Sequence, residues 1–352
     1  MNKNILLIQL GDIGDVVLTT PSIRAIKETF PEARVSIMVR KPFGNLLAAD
    51  PHLHAVLEAG KVRGNALKAL AEHASFMRRL RKARYDLVID LRTGDRGAIM
   101  SLLTGARTRV GVHCKEPVWR NLLFTRTVRE FKAAPYPVHP GADQSLRILR
   151  AIGIETNDSM PRLYFSKDDL ARARTLISEC GLPPGTRLVT LNPFSRWKYK
   201  EWSDQKWGQI IDRLWDERHI FSVLVGSDDE SPEAEKIRRG REDHTFNLAG
   251  KTNLPELSAL ISLSSLHLGV DSAAPHIAAA VGTPTLTVFG PGNWKSWTVQ
   301  DDMRRVVTAE MLCIPCNKKG CDDSGRSRCM YELRADEVYS ELESFLKGCR
   351  IA

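Results

Sequence analysis

Short apolar runs recur along this chain near residues 4–10, 34–39, 54–58, 86–91 and 108–112, and again near 187–192, 220–226, 244–248, 266–270 and 285–289. Helical stretches separate most of them. A strand that is apolar throughout, rather than at alternate positions, is buried on both faces, so the pattern predicts parallel sheets covered by helices on each side. A chain of 352 residues is large for one domain, and two of about 165 residues each are expected. The best linker is Pro161-Arg162-Leu163-Tyr164-Phe165, ahead of a helical run from about Lys167. The reading is a first domain over 1–160, a linker over 161–170 and a second domain over 171–334. A last helix within 335–352 is expected to pack back on the first domain.

Hydrophobic and charged contents of 43% and 26% describe an ordinary soluble protein. The run from Ile5 to Leu10 is too short for a signal peptide or a membrane span and stops at Asp12, so a cytoplasmic location is expected. A net charge of +9 asks for an anionic partner, and the densest basic run is Arg78 to Arg84. No zinc-finger, RRM or helix-turn-helix signature accompanies it, which argues against nucleic acid. A solvated helix end accounts for part of the run, and the anionic inner face of a membrane is compatible with the rest.

Two strand-to-helix turns carry the functional signal. In the second half, the strand Leu266 to Val270 breaks at Asp271-Ser272, and a small-residue helix follows from Ala273. Such a turn gathers free backbone N–H groups and the positive helix end in one place, which suits phosphate. In the first half, Asn4 to Leu10 leads into Gly11-Asp12-Ile13-Gly14-Asp15 and a helix from about Val16. The glycine spacing is Gly-x-x-Gly rather than G-x-G-x-x-G, and the next strand ends at Arg40 where an NAD site carries an acid. A dinucleotide site is therefore disfavoured.

Gly14-Asp15-Val16-Val17-Leu18-Thr19-Thr20-Pro21 and Asp271 to His276, in that order, resemble two motifs of the ADP-heptose:lipopolysaccharide heptosyltransferases. Leu191 to Ser195 leading to Lys200-Glu201-Trp202, and Phe246 to Thr252, agree with the same family. The resemblance runs over nearly the whole chain, with Ala273 standing where many members have Gly. It implies a GT-B architecture, two doubly wound Rossmann-like domains facing across a cleft, and transfer of a heptose from ADP-heptose to a phosphorylated lipid A–core acceptor at the inner membrane face. The Asp90-Leu91-Arg92-Thr93 stretch and the C-terminal cysteine loop look most like the branch that adds a later inner-core heptose.

Sugar transfer from a nucleotide diphosphate needs a base for the acceptor hydroxyl and positive groups for the departing diphosphate. The chain contains no Asp-x-Asp to hold a metal, so fixed donors are expected to serve: the N–H groups of Ser272 and Ala273, the Ser272 hydroxyl and a cation. The resemblance assigns the cation to Lys200 and the base to Asp15, with Asp12 as the competing carboxylate and Arg196 and Lys198 as spare cations. One base without a second carboxylate nucleophile means a single displacement with inversion. Asp271 is expected on sugar hydroxyls or bracing its loop, and His276 on a phosphate or bracing the turn. Ser195 joins the donor site, and Glu233 is a candidate for the ribose hydroxyls. Gly14, Arg92, Arg96 and Arg120 are the acceptor-side candidates.

Cys313, Cys316, Cys321 and Cys329 form a C-x2-C-x4-C-x7-C cluster. That spacing can hold structural zinc or an iron–sulfur centre, the alternatives being a reduced loop or one with a disulfide. Cys114, Cys180 and Cys349 read as incidental. Three other functions fit the same residues: a GT-B enzyme for another nucleotide sugar, a nucleotide-sugar epimerase, and a silent nucleotide-binding protein.

Overall fold

The computed structural model describes residues 3–60 and 66–348, the side chains of 66–73 and of Asp323 apart. The chain divides into two compact units, Met1–Pro161 and Arg162–Ala352. In the first, strands β1 (Asn4–Gln9), β2 (Arg34–Arg40), β3 (Ala55–Ala59), β4 (Leu87–Asp90), β5 (Thr108–Val112) and β6 (Arg126–Val128) form one sheet in the order β3-β2-β1-β4-β5-β6. Its helices are α1 (Ile13–Thr29), α2 (Ala66–Lys82), α3 (Asp95–Leu103) and α4 (Pro140–Arg150).

The second unit repeats the plan. Strands β7 (Leu188–Asn192), β8 (Phe221–Leu224), β9 (Thr245–Asn247), β10 (Leu266–Val270), β11 (Thr285–Val288) and β12 (Arg304–Val307) are ordered β12-β11-β10-β7-β8-β9. Around them lie α5 (Lys167–Glu179), α6 (Asp204–Arg218), α7 (Ser231–Arg238), α8 (Leu254–Ser262), α9 (Ala274–Ala280), α10 (Arg328–Glu332) and α11 (Ala335–Gly348). All neighbouring strands in both sheets are parallel.

Burial explains the apolar runs. Ile5 to Ile8 of β1 are fully buried, as are Val189 and Leu191 of β7 and Leu266, Leu268 and Val270 of β10. The edge strands β6 and β12 escape the apolar pattern because an edge needs cover on fewer sides; β12 carries Arg304 and Arg305. Val338, Tyr339, Leu342, Phe345 and Leu346 of α11 enter the second unit's core with Trp207, Ile211 and Leu214. The apolar stripe of α11 is matched by α6 and β12. Among the described residues no helix is long and apolar enough to cross a membrane.

Candidate functional site

Each sheet reverses its strand order once, between β1 and β4 in the first unit and between β7 and β10 in the second. Loops leaving the carboxyl ends of such strands diverge to opposite faces and open a crevice where ligands bind. The residues singled out from the sequence fall at these two places.

In the first unit, Asp12 caps α1 and Asp15 closes a capping box with it, accepting the Asp12 N–H at 2.9 Å. Asp15 also pairs with Arg92 on the loop after β4, Nη1 to Oδ2 at 2.6 Å. A Cβ at Gly11 would run into this Asp15 carboxylate and the Arg92 guanidinium, which is why the turn needs glycine there. Gly14 lies inside the first turn of α1 rather than in the loop. Two residues not anticipated hold the turn from beneath. Buried Gln9 donates to Thr19 Oγ1 at 2.7 Å and accepts the Gly11 N–H at 3.2 Å, while Thr19 Oγ1 donates to the Asp15 carbonyl at 2.8 Å. Thr19 stands in the Gly14-to-Pro21 motif with no role assigned to it, and the only signal for Gln9 was a glutamine ending an apolar strand.

Asp90 is the other unanticipated group. It ends β4 fully buried, accepts the Arg92 N–H at 3.2 Å through Oδ1, and leaves Oδ2 without a hydrogen-bond partner. Burial, opposed by that N–H and by the charges of Arg120 and Arg92, pushes its carboxyl up to about 7. Arg96 is half-buried in the first turn of α3. Arg120, an acceptor-side candidate, has a buried side chain: Nε lies 3.4 Å from Asp95 Oδ1, and neither Nε nor Nη2 has a hydrogen-bond partner.

In the second unit, Lys200 and Asp271 form an ion pair, Nζ to Oδ2 at 2.7 Å. Ser195 Oγ donates to the Asp271 carbonyl at 3.2 Å, and its N–H is accepted by Glu201 at 2.9 Å. Ser272 Oγ donates to Asn192 Oδ1 at 2.8 Å, and Asn192 Nδ2 in turn donates to the Val225 carbonyl at 2.9 Å. In this arrangement the Ser272 hydroxyl proton is engaged by Asn192. Asn192, at the carboxyl end of β7, is a site residue the sequence did not single out. Ala273 is the N-cap of α9, and His276 lines a small pocket with Asp271, Ser272, Thr285, Thr287 and Phe289. Glu233 and Lys198 pair with each other at 2.7 Å, and Lys198 also meets Glu201 at 3.0 Å.

A model of glycosyltransferase family 9 (heptosyltransferase) matches residues 73–325. The chain belongs to glycosyltransferase family 9. It is 28% identical over 295 residues to lipopolysaccharide heptosyltransferase 3 of Escherichia coli, covering 81% of this chain and 84% of that protein. Among solved structures it resembles a glycosyl transferase family 9 protein from Veillonella parvula, with a TM-score of 0.81, 19% identity and coverage of 98% and 97%. It also resembles the E. coli ADP-heptose lps heptosyltransferase II, with a TM-score of 0.76, 19% identity and 99% coverage of both chains. The fold class of this family 9 glycosyltransferase is GT-B, and its two Rossmann-like units each contribute one switch-point cluster.

The four clustered cysteines differ in burial. Cys313 and Cys321 are exposed, Cys316 is half-buried and Cys329 is buried, all as free thiols. Cys329 packs into the second unit's core beside Met330, and burial, with the neighbouring Cys321 and Cys316 adding to it, pushes its thiol up to about 11. Among the described residues no three His, Cys, Asp or Glu side chains gather as a metal would require. Cys349 lies outside the described residues.

Proposed function

We propose that this glycosyltransferase moves a heptose from ADP-heptose to the lipopolysaccharide inner core, at a later position of that core, with inversion and without a catalytic metal. The observation that carries the reading is the Lys200–Asp271 pair at the second switch point, wired to Ser195, Ser272 and Asn192. A diphosphate drawn to Lys200 and to the turn before α9 would place its sugar beside Asp271. Asp15, held by Arg92 and the Asp12 N–H, takes the acceptor proton. Lys200 and backbone N–H groups stabilise the departing ADP, in place of a metal that no Asp-x-Asp is present to hold.

The relatives support the substrates: heptosyltransferase 3 is named for lipopolysaccharide, and heptosyltransferase II for ADP-heptose as well. The acceptor is then a phosphorylated lipid A–core oligosaccharide, and the protein works at the cytoplasmic face of the inner membrane as a peripheral protein. The test is transfer by the purified chain from ADP-heptose to a core acceptor lacking its later heptose, with EDTA present and the anomeric configuration of the product read by NMR. Inverted product formed in EDTA is expected. Activity abolished by EDTA and restored by magnesium would overturn the metal-free mechanism. Thermal stabilisation by a UDP-sugar but not by ADP-heptose would overturn the donor.

A further inference from the structure

Ten large apolar side chains are exposed among the described residues, and five of them crowd onto two short elements of the first unit. Ile99 and Leu102, 41% and 42% exposed, lie one turn apart on α3. Val118, Trp119 and Leu122, 63%, 42% and 79% exposed, lie on the 3-10 helix Val118–Leu123, where residues three apart share a face. The two elements pack against each other, and buried Arg120 reaches from the 3-10 helix to Asp95 at the start of α3. Exposed apolar side chains concentrated on two packed elements in this way mark something that covers them.

Charge selects the occupant. Residues 1–161 carry 25 Lys and Arg against 15 Asp and Glu, a balance of +10, while residues 162–352 carry 26 against 27, a balance of −1. The whole positive charge of the chain therefore belongs to the unit that bears the patch. Locally, exposed Lys115 leads into the 3-10 helix and Arg96 sits one turn before Ile99. Glu116 and Asp95 are the acidic neighbours, and Asp95 is engaged by Arg120. Five partly exposed side chains supply a few hundred Å², well below the roughly 800 Å² per partner of a standard protein interface. Shallow insertion of such a patch, with a tryptophan at headgroup depth and a basic unit behind it, suits an anionic lipid surface.

We propose that Ile99, Leu102, Val118, Trp119 and Leu122 form the surface by which the first unit docks on an anionic bilayer. The proposal rests on the reading of a lipid-anchored acceptor for its purpose. It adds the place: α3 follows directly from the loop that carries Arg92, so docking through α3 anchors the acceptor-side unit.

The experiment is flotation of the full chain with phosphatidylcholine vesicles and with vesicles containing phosphatidylglycerol, no donor being present. Wild type should bind the anionic vesicles, less as salt rises, and Trp119→Glu/Leu122→Glu should bind at least about tenfold more weakly with an unchanged Tm. Should that variant fold poorly, Ile99→Gln/Leu122→Gln carries the same comparison. Equal binding by wild type and variant would overturn the proposal, as would absence of binding by wild type. Self-association of wild type that the variant loses, with neither floating, would assign the patch to a second copy of the chain instead. Vesicle binding is read without any sugar transfer, so its failure is separable from failure of the donor or acceptor assignment.

Discussion

Arg92 Nη1 lies 2.6 Å from Asp15 Oδ2, joining the loop after β4 to the first turn of α1 across the switch point of the first sheet. The Asp12 N–H meets the same oxygen, so in the proposed mechanism Oδ1 would be the one to take the proton. Asp15→Asn keeps the shape and the capping contact and removes the base. Turnover should fall at least about 100-fold, with ADP affinity within about twofold of wild type. Near-normal turnover in a steady-state assay would rule Asp15 out. Arg92→Ala should lower turnover less, by about tenfold, because it releases the carboxylate without removing it.

Lys200 and Asp271 make the corresponding pair in the second unit. Lys200→Ala removes the cation from the diphosphate in both ground and transition states, so ADP should bind at least about tenfold more weakly by calorimetry. The half-buried Asp271 is left without its partner, and a stability loss of about 1 kcal/mol should accompany it in urea titration. An unchanged ADP Kd would remove Lys200 from the phosphate site.

Asn192 ties Ser272 to the Val225 carbonyl, and thereby sets the turn before α9 against β8. Asn192→Ala breaks both hydrogen bonds at a buried position. The expected cost is about 1–2 kcal/mol of stability, with a several-fold rise in the donor KM and a smaller change in kcat. Ser272→Ala, which leaves the Val225 contact intact, should be milder in stability. The reverse order in melting experiments would show that the tie does not hold the turn.

Asp90 makes folding depend on pH. Burial raises its carboxyl to about 7 in the folded protein, above its ordinary value of 3.8, so the native state keeps a proton that the unfolded state releases. Its contribution to stability is fully present below about pH 4 and is lost progressively as pH rises towards 7. Asp90→Asn stays neutral throughout while still accepting the Arg92 N–H. The Tm of Asp90→Asn relative to wild type should therefore increase from pH 5 to pH 8. A constant difference across that range would mean that Asp90 is not the group responsible.

Much of the fold was legible because it is written in short-range pattern. Ile5 to Ile8 and Leu266 to Val270 read as strands since both faces of a parallel sheet demand apolar side chains. The edge strands β6 and β12 were not legible, because an edge tolerates residues such as Arg304 and Arg305. The apolar stripe of α11 announces burial but not the partner, and Trp207 and Leu214 of α6 are among those that cover it.

The candidate site divides in the same way. Asp271 and Ser272 could be singled out because a strand that turns sharply into a helix needs particular residue types within a few positions, and Asp15 and Lys200 by their places in the motifs of the family the chain resembles. Their partners could not. Arg92 is 77 positions from Asp15 and Asn192 is 80 from Ser272, and each pair meets only because the crossover connections set β4 beside β1 and β10 beside β7. The same separation hid the burial of Asp90 and Arg120 and the packing of α3, with exposed Ile99, against the 3-10 helix that carries exposed Trp119 and Leu122. Periodicity and turn chemistry are local properties that a sequence determines by itself. Ion pairing, desolvation and surface patches depend on distances between remote residues, and those the tertiary structure decided.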